Sequence, residues 1–83
     1  MRCYFNVKDG ETLFDAEGTE IADVADIQQE AVQASADLLK GLHGKHFWSG
    51  EPWMLWVTDK PNGEGNTLLT LTFSAQLSKP PSA

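Results

Sequence analysis

His43 and His46 lie three residues apart, and with Cys3 or Glu51 they supply the residue types of a three-ligand zinc site. They fall in HGKHFWSGEP, residues 43–52, where two glycines loosen the backbone. A zinc site needs its donors held at fixed spacing, so no metal is expected, and His43 and His46 are the residues that would hold one. Asp15-x-Glu17-Gly18-x-Glu20 resembles the opening of a calcium loop. Such loops place glycine at the sixth position and a bidentate glutamate at the twelfth, and Gly18 comes too early for that pattern. A turn with solvated acids is the better reading. Ser49 follows His46 closely, yet no third residue is placed to orient the pair, and no Gly-x-Ser-x-Gly elbow occurs. Cys3 sits in strand-forming sequence, which buries a thiol rather than exposing it as a nucleophile. Gly63-Glu-Gly65 and Gly41-x-x-Gly44 lack the strand, helix start and lysine of a phosphate loop. No catalytic residue and no cofactor is expected.

The elements that would position these residues follow from periodicity. Arg2 to Val7 is rich in strand formers, with Cys3, Phe5 and Val7 on one face and Arg2, Tyr4 and Asn6 on the other. Asp9-Gly10 predicts a tight turn and Thr12 to Phe14 a returning strand. Asp15 to Glu20 reads as a second turn. From Asp23 to Leu42 the spacing predicts the one long helix, with Asp23 as its N-cap. Val24, Ile27, Ala31, Ala34, Leu38 and Leu42 form its apolar stripe, flanked by Val32 and Leu39. Trp53 to Thr58 and Thr67 to Leu77 are the third and fourth strands, joined by the turn-forming Asp59–Asn66 loop. The expectation is an α+β domain: a two-layer ββαββ arrangement, a four-stranded antiparallel sheet with the helix of about residues 23–42 packed on one face. It spans residues 1–77, and residues 78–83, with Pro80-Pro81, form a disordered tail.

Eighty-three residues suffice for one small core. The net charge is -6, and nine of the twelve carboxylates lie from Asp9 to Asp37 with no Lys or Arg between Lys8 and Lys40. Such a surface repels phosphate backbones and anionic lipid, so neither nucleic acid nor membrane is an expected partner. A single cysteine rules out an internal disulfide. With no charged-then-apolar leader at the N-terminus, the expected compartment is the cytoplasm.

Tyr4-Phe5-x-Val7-x-Asp9-Gly10, Asp15-x-x-Gly18-Thr19-Glu20, Asp23, Glu30-Ala31 and Val57-x-Asp59 together resemble a family of small bacterial proteins classed as a domain of unknown function. The resemblance covers nearly the whole chain. It implies the order of elements and a bacterial origin, and it carries no activity. Ile27 stands where alanine is more usual, and the Phe47–Trp53 loop is longer than typical.

Three tryptophans, Trp48, Trp53 and Trp56, occur within nine residues. Aromatic side chains bury large area at small entropic cost and are enriched in protein interfaces. Tyr4, Phe47, Trp48, Trp53, Met54 and Trp56 are therefore the expected contact surface, with Tyr4, Met54 and Trp56 on the sheet face without a helix and Phe47, Trp48 and Trp53 in and beside the preceding loop. The function read from the sequence is a non-enzymatic protein-interaction or homodimerisation module. A small-ligand or metal-binding protein using the His43–Glu51 loop is one alternative. An acidic nucleic-acid mimic that captures a basic protein is the other.

Overall fold

A computed structural model describes residues 1–41 and 48–78. The chain runs β1 (Arg2–Asp9), β2 (Glu11–Leu13), β3 (Thr19–Glu20), α1 (Val24–Gly41), β4 (Trp53–Thr58), a 3-10 turn at Pro61–Gly63, and β5 (Thr67–Phe73). The α+β class, the antiparallel sheet and, among the described residues, the one long helix are as expected. The order across the sheet is β2-β1-β4-β5, and every pairing is antiparallel. The additional strand β3 also pairs with β1, at Arg2 and Cys3, whereas β2 pairs at Val7 to Asp9. Two short strands thus share the outer edge of β1 and leave Tyr4 to Asn6 between them.

Two expected boundaries are corrected. The last strand ends at Phe73 rather than Leu77, because β4 begins at Trp53, which pairs with Phe73 and leaves later residues no strand partner among the described residues. Leu77 is 75% exposed, so the alternation in its sequence does not reflect burial. The second strand is Glu11–Leu13, which frees Phe14 for the far side of the sheet.

Asp23 caps α1, its Oδ1 accepting from the Asp26 amide at 3.0 Å, and Lys40 lies in the last turn. The helix packs on Trp53, Leu55 and Val57 of β4 and on Cys3 of β1, which with Ile21, Ile27 and Ala31 form the buried core. Burying an isoleucine-sized side chain contributes about 1.5–3 kcal/mol, so Ile27 is the main anchor of α1. The buried row is Ile27, Ala31 and Ser35, with Ala34 and Leu39 partly covered. This corrects the expected stripe, since Val24 and Leu38 are 66% and 43% exposed. The helix meets a twisted sheet along one i, i+4 row, and the small Ala31 and Ser35 let its backbone come close. Leu42 lies outside the described residues.

Ser35 Oγ is buried with no hydrogen-bond partner among the described residues. A buried hydroxyl without a partner costs free energy, and serine is the poorer helix former. Ser35→Ala is expected to raise unfolding stability by about 1 kcal/mol. Urea titration should show a higher midpoint at unchanged slope.

Candidate contact site

Alternation along β1 and β4 places Tyr4, Asn6, Met54, Trp56 and Thr58 on the far side of the sheet from α1. The gap in the outer edge of β1 organises what covers that side. At Phe5 no strand is present to accept the main-chain N–H, and the Asp15 Oδ2 accepts it at 3.0 Å. Asp15 Oδ1 accepts from the amides of Glu17 and Gly18, both at 3.0 Å, closing the local turn. The Asp15 N–H in turn donates to Asn6 Oδ1 at 3.0 Å. Asn6 is fully buried, and its Nδ2 donates to Thr58 Oγ1 at 3.1 Å and to the Trp56 carbonyl at 3.3 Å. Thr58 Oγ1 passes the chain on, donating to the Lys60 carbonyl at 2.9 Å. This relay fastens the loop after β2 and the loop after β4 to the far side.

Two close approaches complete the cover. A Cβ on Gly18 would stand 2.7 Å from the Tyr4 ring, and one on Gly63 would stand 2.6 Å from the Phe14 ring. Both glycines have positive φ, so no other residue fits without strain. Phe14 meets Trp56 edge-on with ring centroids 6.2 Å apart.

The expected surface is therefore redistributed. Tyr4, Met54 and Trp56 are half-buried. Trp53 is a correction: at 1% exposure it lies in the core under α1, meeting Phe73 edge-on at 5.6 Å. The one-residue alternation that puts Met54 and Trp56 outside puts Trp53 inside with Leu55 and Val57. Trp48 is 54% exposed. Phe47, His43 and His46 lie outside the described residues. Cys3 is buried, which pushes its thiol above the ordinary value; the N-terminal ammonium opposes this, and Glu20 and Asp59 add to it. Glu20 pairs with the Met1 ammonium at 3.0 Å, and Asp15 already serves three amides, so the expected turn with acids is a hydrogen-bonded structure. Among the described residues no cluster of three His, Cys, Asp or Glu could hold a metal, and no helix is long and apolar enough to cross a membrane.

A different surface is more open. Among the described residues β5 pairs on one side only, with β4, so every second N–H and C=O of its other edge lacks a strand partner. From Gly65 to Ser78 the chain carries no charge. Against this edge runs a groove of about 350 Å³ lined by Gln28, Ala31, Val32, Leu69, Thr70 and Leu71. Val32 is 58% exposed there, and Leu68, at the bulge opposite Val57 and Thr58, is 38% exposed. The opposite edge is made of two shorter strands and carries Glu11 and Glu20, features that discourage pairing.

Asn6 and Phe14 are the residues that sequence reasoning missed. The signals were an asparagine in the middle of an otherwise β-prone strand, where it is disfavoured, and Asp15-x-x-Gly18, the pattern of a side-chain-closed turn.

Burial opposes ionisation of Asp15, but the amides of Gly18, Phe5 and Glu17, helped by Arg2, outweigh it and hold its carboxyl below the usual range. A depressed folded-state pKa adds stability that is present above the unfolded carboxylate value, about 3.9, and lost as pH falls through the folded value. Asp15→Asn would turn an amide donor toward these N–H groups and is expected to cost about 1–3 kcal/mol at neutral pH. The gap between variant and parent should narrow in acid, as measured by urea midpoints across a pH series.

No curated protein and no solved structure gives a significant match to the chain. A family model does match, over residues 2–74, and its description is a domain of unknown function, DUF6894. The match takes in the whole sheet, the helix and the Asn6–Asp15 relay, and the chain belongs to the DUF6894 family.

Proposed function

We propose that this domain is a non-enzymatic cytoplasmic module that works by protein contact, docking a strand against the outer edge of β5. The observation that carries this reading is the contrast between the two edges. One is split into short charged strands, whereas β5 offers seven residues, TLLTLTF, with no charge, proline or covering strand among the described residues. A strand added there gains main-chain hydrogen bonds, and the groove beside Val32 takes its side chains. The contact is assigned to β5 rather than to Tyr4 and Trp56, because the loops after β2 and β4 already lie over those rings. The acidic balance supports a protein partner over nucleic acid.

Affinity capture from the native cell tests this with a charge placed on the edge. Thr70 is exposed, so Thr70→Lys leaves the core intact. Proteins retained by the parent chain are expected to be lost from this variant. Retention of the same set by both would overturn the reading.

A further inference from the structure

Resting on that contact reading, we infer that the strand received by β5 is the β5 of a second copy, in a two-fold pairing centred on Thr70. Thr70 is the midpoint of Thr67–Phe73, so antiparallel pairing about it uses the full strand. It sets Leu69 against Leu71 of the second copy and Leu71 against Leu69 on the helix side. On the far side it sets Thr70 against Thr70 and Leu68 against Thr72. Directly opposed residues share a sheet face, so apolar groups meet apolar groups under the helices. The two-fold axis stands perpendicular to the sheet and keeps both helices on one side.

The helices support the same occupant. α1 contacts both β4 and β5. With strands about 4.8 Å apart, a helix over the β4–β5 seam comes within about 10 Å of its copy, an ordinary helix packing distance. The helix residues that line the groove beside β5 are Gln28, Ala31 and Val32, which are uncharged, and Asp37 lies beyond them in an adjoining depression with Val32 and Ala36. Asp26 and Glu30 project elsewhere on the helix, and Glu30 lines a separate depression with Glu20 and Gln33. Two chains of charge -6 repel over most of their surface. The β5 edge, neutral from Gly65 to Ser78, is where they can meet with least repulsion. A strongly basic or acidic partner strand would find no counter-charge on β5 itself.

Sedimentation across a concentration series tests the pairing on the full chain. The parent is expected to move from 9.1 kDa toward twice that mass as concentration rises. Thr70→Lys sets two ammonium groups opposite each other and is expected to raise the dissociation constant at least about tenfold. Circular dichroism checks that the variant is folded. Thr70→Cys provides a second arm, since opposed residues lie at about 4.5–5.5 Å between Cα atoms, within disulfide reach. The native Cys3 is buried and does not compete. Oxidation is expected to link Thr70→Cys into a covalent dimer and to leave Thr12→Cys, on the opposite edge, largely uncrosslinked. A parent chain that stays at 9.1 kDa up to about 1 mM, where even a millimolar contact would be well populated, overturns the inference. So does a dimer that folded Thr70→Lys leaves unchanged. A monomer whose cellular captures are still lost in Thr70→Lys removes the second copy as occupant and leaves the contact reading standing.

Discussion

The outer edge of β1 is interrupted between β3 and β2, and the Phe5 amide exposed by that interruption is met by the Asp15 carboxylate. A main-chain N–H left without a partner inside a fold costs as much as a lost hydrogen bond. Asp15 removes that cost and spends its other oxygen on the turn that lets the chain change direction. Asn6 locks the arrangement from beneath by accepting from the Asp15 amide, and it reaches β4 through Thr58 and Trp56. The 3-10 turn joins the same system, as the Asn62 amide donates to the Asp15 carbonyl at 3.0 Å. A sheet with one helix has a bare face by construction. Here a polar relay, rather than a second helix, holds its cover in place.

That solution has consequences for the rest of the molecule. On the far side Gly18 packs on Tyr4, and Phe14, itself 54% exposed, packs on Trp56 and Gly63; among the described residues this partial cover does not extend to β5. The helix covers Leu55 and Val57 completely but Leu69 and Leu71 only in part. Among the described residues the β5 margin is thus partly covered on the helix side, exposed at Thr70 and Thr72 on the far side, and unpaired along its outer edge. Elsewhere the N-terminus is tied to Ile21 by two main-chain bonds, the Met1 ammonium to the Ile21 carbonyl at 2.7 Å and the Ile21 amide to the Met1 carbonyl at 2.8 Å. Asp59 secures the loop before β5 by accepting from the Asn66 amide and side chain, which together hold its carboxyl below the usual range.

Much of this order was legible in the residues. Trp53–Thr58 was readable as a strand from its composition, and Asp23 as a cap from its place before the apolar periodicity. The start of the helix was legible because Asp23 is a local signal. The buried row was not legible, since Ser35 enters the core only because α1 crosses the sheet along the Ile27–Ala31 row. Leu38 satisfied the period and still faces solvent. The candidate contact surface suffered from the same limit. Trp53 belongs to the alternation of β4, and a cluster of tryptophans in sequence is split between two faces by the pleat.

By itself, the sequence determined the α+β class, the long elements and the absence of an internal disulfide, because these depend on local periodicity, capping and residue count. Tertiary structure decided what Asn6, Asp15 and Phe14 do, because their partners lie on other strands and loops that no short window contains. It also decided which of the two sheet edges is long and uncharged. That depends on strand order, and strand order places a neutral, apolar strand at one margin and charged fragments at the other.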